Sequence, residues 1–505
     1  MTGINNLLKS KGNDLNSQNF NSNSIKNSSG KSVVVIGGGV SGLASSLELC
    51  KHGYKTIILE KQNFIGGLAT SIPYRGYNLD IGPHFMALPK ESEITDEILD
   101  LMGTEKTIKL PDDLFSNFYK TNFNGRLYTG YPSLMEVIFK TTRRFLVLSL
   151  WDFFIAKCKN IFIKSKYDNA EKYLISTYGN FLYKIWFKPY LYYKYPGTEP
   201  PLDQVMKKFP TLTLLKILQS MKKPQKKLEK HNDEKEEDNL ICYFKGGMGT
   251  LINRVQEEIQ KYGGEINLGV DIKSIEHAGT SKTIIFNKND KQEKINADMI
   301  VYCIPLNIAL QWFDDGTKRI IQSTKKTNSY NTIILFLLID TPRLYDSWVV
   351  NFYDTDLSFF RIAQQNFLSE SVAPKGKSLL SVEIKSSEQD PLWNMDDDSI
   401  FTRVKSDLEK IKILNGQKID GFKILKFKNL ARNYELNKDF STKPLNEFIN
   451  SFENEYPVGT ESDSGLLAGS TEQSPQKIAY GGGMYMAFFK AKNLLRNIEI
   501  KKGKQ

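Results

Sequence analysis

This chain of 505 residues is poor in the residues that build metal centres and covalent frameworks: it has four cysteines and four histidines. Cys50, Cys158, Cys242 and Cys303 form no CxxC pair, and each lies in or beside an apolar run. That spacing excludes a disulfide scaffold or zinc finger and suits a reducing compartment. His52, His84, His231 and His277 are too dispersed for a multi-histidine metal site, so no metal is expected. Long apolar runs are missing too. The best candidate, Phe145 to Ala156, is too short to span a bilayer, contains Asp152 and follows Arg143 and Arg144. Residues 1–30 hold eight Asn, six Ser and no Arg, without a continuous apolar stretch. They read as a disordered tail rather than a secretory or mitochondrial leader, which makes the cytoplasm the expected location. The net charge of +11 is mostly lysine spread along the chain, so no nucleic-acid partner is expected, while contact with an anionic membrane stays open.

Hydrophobic residues make up 40% of the chain and aromatics 12%, enough for large cores and an apolar cavity. The length calls for more than one substructure. Ordered patterning begins at Lys31. "SVVVI" is an apolar run of strand length, "GGGVSG" follows, and Val40, Leu43, Ala44, Leu47 and Leu49 mark a helix to about Lys51. "TIILE", Thr56 to Glu60, is a second buried strand, completing a βαβ unit.

Gly37, Gly39 and Gly42 fit GxGxxG. The first permits the sharp turn, the second a close approach to a pyrophosphate, and the third helix–strand packing. The amides of Val40 and Ser41 open the helix, whose N-terminus favours the diphosphate. Glu60, eighteen residues after Gly42, ends the second strand where a carboxylate accepts from a ribose diol. These features specify a dinucleotide but not which one. The stretch "KQNFIGGLATS" from Lys61 adds a second glycine pair, Gly66-Gly67, which NAD does not need and a flavin's ribityl chain and ring do.

On these motifs the chain resembles the amine oxidase-type FAD-dependent oxidoreductase superfamily, which includes protoporphyrinogen oxidase and phytoene desaturase-like enzymes. The resemblance implies FAD, with Lys61 and Leu68 flanking the glycine pair. "YNLDIGPHF" would then reach the flavin through Gly82, Pro83 and His84. "KGGMGTL", Lys245 to Leu251, would return the chain to the FAD domain, and in "GVDIKSIEH" the backbone of Val270 would meet the adenine. "GLLAGSTEQ" and "GGGMYMAFFKAKNLL" would close the domain, placing Gly469, Ser470, Gly483 and Met484 at the cofactor. Part of the chain is also similar to the UDP-galactopyranose mutase branch. "GPHF" and "SFFRIAQQNFL" imply catalytic-site roles for His84 and Arg361, the latter as anchor for an anionic substrate group.

The expected fold is α/β: a Rossmann-like FAD-binding domain from discontinuous segments (31–110, 240–310 and 455–500) plus a substrate domain. The latter combines a helical insertion (111–221) with a mixed sheet (311–454), and a charged linker covers 222–239. "INLGVDIKSIEH" is expected to be one strand kinked near Gly269. "FLYKIWFKPYLYYKYPG", with eight aromatics in seventeen residues, reads as an aromatic helical core or a cavity wall, and Tyr190, Tyr192 and Tyr193 fit core better than cage. Asp80 reads as a structural acceptor. The expected activity is hydride transfer from a C–N or C–C bond of a largely apolar or amine small-molecule substrate to the flavin, with oxygen, a quinone or a protein as electron acceptor. Two alternatives stand beside it: a non-redox nucleotide-sugar mutase, and a non-catalytic binding protein of the same fold.

Overall fold

The computed structural model describes residues 30–111, 114, 118–123, 126–129, 143–162, 167–194, 200, 202–209, 239–278, 281–313, 328–353, 356–433, 443–458 and 483–502. The N-terminal tail, all of the charged linker but Asn239, and the "GLLAGS" strand lie outside them.

Ser32–Ile36 is the middle strand of a five-stranded parallel sheet, in the order Glu265–Asn267, Lys55–Leu59, Ser32–Ile36, Met299–Tyr302, Glu455–Pro457. Its continuous apolar run is explained by burial on both faces, as in parallel sheets generally. Val33 and Val35 enter one core, Val34 and Ile36 another. On the first face lie the helices Val40–Lys51 and Gly483–Lys502, packed on each other, the latter contributing Tyr485, Phe488, Leu494 and Ile498. Segments from the beginning, middle and end of the chain thus build one domain.

The second layer is a seven-stranded mixed sheet, ordered Ile419–Asn433, Asn328–Ile339, Ser378–Ser386, Arg361–Gln364, Val349–Phe352, Tyr119–Phe123, Arg126–Thr129. All its pairs are antiparallel except Val349–Phe352 with Tyr119–Phe123. Two of these strands come from the stretch expected to be helical. In Asn328–Ile339 the odd residues Ile333, Leu335, Leu337 and Ile339 pack with Ile400, Val404 and Leu408 of helix Asp397–Lys410. The even residues Ile334, Phe336 and Leu338 join the core of the parallel sheet. One strand therefore ties two cores together, with the period of two that a strand imposes.

The strand expected across Gly269 is two strands in two sheets. Glu265–Asn267 lies in the parallel sheet, and Asp271–Ala278 joins an antiparallel sheet with Ser281–Lys288 and Lys291–Ala297. The chain turns between them at Gly269, whose N–H donates to the Gln62 carbonyl at 3.0 Å. The apolar pattern runs through both strands unbroken, so it does not show the change of sheet.

The aromatic stretch forms a π-turn, Tyr183–Phe187, followed by helix Lys188–Lys194. Tyr183, Trp186, Phe187 and Tyr190 are buried with Tyr128, Tyr173 and Tyr353. Tyr190 is thus core, as expected; the side chains of Tyr192 and Tyr193 lie outside the description.

Candidate active site

The glycine loop leaves the strand Ser32–Ile36 at Gly37, whose φ of +102° is open to glycine. Gly38 donates to Glu60 Oε2 at 2.6 Å, and Gln62 donates to Glu60 Oε1 at 2.7 Å. Burial raises the Glu60 carboxyl above its usual range while these amides oppose the shift. Each oxygen retains a further lone pair for a ribose diol. Gly39 bridges to Gly66 in parallel fashion, and Gly66 donates to the Gly38 carbonyl at 2.7 Å. The two glycine motifs, far apart in role on paper, are therefore one surface. Gly66 and Gly67 both have positive φ, +91° and +57°.

Around Gly39 there is space for a ligand. A Cβ built there meets no atom within 4 Å. Gly39, Val40 and Ser41 are partly exposed, whereas helix residues 42–50 are buried. No side chain caps that helix, and its first turn holds no acid. Its amides therefore keep their capacity for an anion. A diphosphate with a ribose on Glu60 fits these residues.

The other residues expected at the cofactor have varied surroundings. Lys61 is exposed and paired with Asp271 at 2.9 Å, and Leu68 is 41% exposed beside the glycine pair. Val270 is buried and its N–H donates to the Glu60 carbonyl at 2.9 Å. That bond ties Glu60 to the Gly269 turn and takes up the Val270 N–H. Gly483 starts the closing helix and Met484 is buried in its core; Gly469 and Ser470 lie outside the described residues.

Packing and then hydrogen bonds lead from this cradle to His84. Asp80 ends strand Tyr77–Asp80, fully buried; its carboxylate accepts from Ser71 Oγ, from the Tyr243 hydroxyl and, at 3.2 Å, from the Met248 N–H. Ser71 Oγ also accepts from Gly249 N–H at 2.7 Å. The start of helix Gly249–Lys261 is thereby clamped against the strands, and its Ile252 packs on Gly66. The Gln365 side chain bonds the Asp80 backbone on both sides, at 2.8 Å and 3.1 Å, fastening the loop to the seven-stranded sheet. Asp80 is the structural acceptor the sequence suggests. Ser71 stands opposite Asp80 in the hairpin of strands Ser71–Tyr74 and Tyr77–Asp80, whereas Tyr243 and Gln365 had no sequence signal, because distant segments supply them.

The loop then turns through Gly82 and half-buried Pro83, and the His84 N–H donates to the Gly82 carbonyl at 3.0 Å. The His84 ring is half-buried, with its protonated form poorly solvated. Its Nδ1 is buried with no hydrogen-bond partner among the described residues. Burial pushes the imidazole down to about 4, Arg361 adding to the shift and Glu383 opposing it. His84 is therefore neutral at physiological pH.

Arg361 and Glu383 face each other across adjacent antiparallel strands. The guanidinium donates through Nε at 2.7 Å and Nη2 at 2.5 Å, a bidentate pair, with its carbon 5.5 Å from the Phe360 ring centroid. Lys385, two residues on from Glu383 and on the same strand face, stands 4.7 Å over that ring. Burial and the Arg361 charge bring its ammonium down to about 7, against the pull of Glu383. The structure thus joins His84, Arg361, Glu383 and Lys385 electrostatically. Lys385 was missed because the sequence shows alternation but not which strand face carries the Arg361–Glu383 pair.

One pH effect follows. In the unfolded chain a histidine takes its proton near its ordinary value of 6.5, while folded His84 resists until about 4. Stability from this residue is therefore lost as pH falls from about 6.5 to 4. Asp80, raised to about 6 chiefly by burial, has the opposite sign over an overlapping window. The discriminating measurement is the melting temperature of wild type minus that of His84→Asn at each pH. We expect it to fall steadily on acidification; a difference independent of pH would show that His84 titrates normally.

Two family descriptions match the chain: an NAD(P)-binding Rossmann-like domain over residues 35–100 and a flavin containing amine oxidoreductase over 216–433. The stretch 216–433, less than half of the chain, is similar to the flavin containing amine oxidoreductases. The chain's cofactor is FAD, in keeping with the fused glycine surfaces. The 1-hydroxycarotenoid 3,4-desaturase of Flavobacterium sp. (strain P99-3) is 26% identical over 284 residues, 50% of this chain and 53% of that protein. The phytoene desaturase of Fusarium fujikuroi is 42% identical over 77 residues, 15% of this chain and 13% of that enzyme. The chain thus spans about half or less of these relatives' length. Among solved structures, a protein from Exiguobacterium sp. 255-15 assigned as a protoporphyrinogen oxidase has a TM-score of 0.65 at 16% identity, covering 94% of this chain and 100% of its own. A reduced UDP-galactopyranose mutase has the same score and identity, covering 84% and 87%. Both likenesses establish the fold.

Proposed function

We propose that this protein is an FAD-dependent oxidoreductase that removes a hydride from a C–N or C–C bond of a largely apolar or amine substrate. The observation that carries this reading is the single surface made by Gly39, Gly66 and Glu60, with an uncharged, half-buried His84 in the loop after Asp80. Bound FAD supplies the hydride acceptor. The chain's own residues bind and orient. The helix amides after Gly39 hold the diphosphate, Glu60 holds the ribose, and the Val270 carbonyl receives the adenine amino group. Uncharged His84 lets an apolar substrate approach without desolvating a cation. Arg361, already engaged by Glu383, orients the polar end of the substrate by sharing its guanidinium. The desaturase relatives favour a C–C bond. Oxygen, a quinone or a protein then takes the electrons, in a reducing compartment such as the cytoplasm, in keeping with four free cysteines.

The test is anaerobic bleaching of the bound flavin by a panel of polyene or prenyl lipids, amines, porphyrinogens and UDP-sugars. Bleaching by a lipid or amine is the expected result. Binding of a UDP-sugar without bleaching, with no response to the other classes, would overturn the reading in favour of a mutase.

A further inference from the structure

The helix Arg143–Phe162 is inside out for a protein surrounded by water. Its outer face carries Val147 (64% exposed), Leu150 (53%), Trp151 (64%) and Phe154 (57%), with Leu148 at its margin. At 100° per residue these positions share one arc. The opposite arc, which packs on the neighbouring helices, holds Ser149, Asp152 and Ala156. Asp152 is held inward by the Phe181 N–H at 2.5 Å, so the rotation of the helix is set by a hydrogen bond and is not free. Four large apolar side chains in a row on the surface exceed the scattered exposure normal for soluble domains.

We infer that this face docks on an anionic lipid bilayer. Three observations select this occupant. Trp and Phe beside aliphatic residues are the composition of helices that lie in the headgroup region. Between residues 140 and 166 the sequence has seven Lys or Arg against one acid, Asp152, and that acid is the one turned inward. The chain as a whole has a net charge of +11. An apolar strip within so basic a stretch of sequence suits an anionic surface better than a second, equally basic copy of the chain. No helix among the described residues is long and apolar enough to cross a membrane, so the contact is interfacial. This inference holds whatever reaction the flavin site performs.

The test is flotation of the FAD-loaded protein with vesicles of phosphatidylcholine alone or mixed with about one-third phosphatidylglycerol, using wild type and Trp151→Glu/Phe154→Glu. Both positions are exposed, so the variant should keep its FAD and its melting temperature, which are measured alongside. Wild type should float with the anionic vesicles, with a blue shift of tryptophan fluorescence. The variant's bound fraction should drop roughly tenfold, and added salt should weaken wild-type binding. Absence of wild-type binding to anionic vesicles, or equal binding by the variant, would overturn the inference. So would a wild-type dimer that the double substitution dissociates, with no vesicle binding, since the face would then belong to a second copy.

Discussion

Replacing Gly39 by valine is expected to yield a folded protein nearly devoid of FAD. The residue has φ −71° and ψ −179°, a backbone conformation open to any L-amino acid. A Cβ there meets no protein atom within 4 Å, so neither strain nor overpacking opposes the substitution. The added methyls instead fill the space before the first helical amides, where the diphosphate must come within hydrogen-bond distance. Affinity should fall by two orders of magnitude or so, since about 1.4 kcal/mol accounts for each tenfold and several charge-assisted bonds are lost together. Flavin absorbance per protein after purification measures the loss, and circular dichroism compared with wild-type apoprotein checks the fold. Apoprotein is the right reference, because bound FAD itself raises apparent stability. Full flavin content in the variant would mean that the dinucleotide lies elsewhere.

Gly42→Ala, three residues on, should fail for the opposite reason. Its Cβ would stand 1.8 Å from the Gly37 carbonyl oxygen, an impossible contact with backbone rather than with a movable side chain. Gly37 cannot retreat: its N–H is bonded to the Leu59 carbonyl at 2.9 Å, and it packs on Ile304 and Cys303. Relief requires the helix Val40–Lys51 to move off the sheet, opening a core in which Val33, Val35, Leu43 and Leu47 are almost wholly buried. A cost on the order of 3 kcal/mol or more is expected, at or above the upper end for overpacking. Denaturant unfolding and soluble yield measure it. Saturating FAD should not rescue this variant, whereas Gly39→Val should need no rescue of its fold. A Gly42→Ala protein as stable as wild type would contradict the packing described.

The difference between these glycines illustrates what pattern reading achieves. GxGxxG placed the sharp turn at Gly37 and the helix–strand packing at Gly42 as the structure has them, because strand, turn and helix are local and the spacing is fixed by covalent geometry. The same reasoning reached Asp80 as an acceptor and the aromatic stretch as core. It did not reach the paired state of Arg361: register between strands 361–364 and 378–386 places Glu383 opposite it, and register depends on the whole sheet. It also joined Glu265–Asn267 to Asp271–Ala278, since hydrophobic alternation does not say which sheet a strand enters.

Sequence alone determined the glycine loop, its strand–helix–strand setting and the choice of flavin, all properties of residues close along the chain. Tertiary structure decided what surrounds them. It fused Gly39 with Gly66, tied Ser71, Tyr243 and Gln365 to one buried carboxylate, brought Lys385 beside Arg361, and turned Trp151 and Phe154 outward. The physical reason is that covalent spacing constrains neighbours over a few residues. Contacts between residues hundreds of positions apart are set only when the sheets and helices pack together.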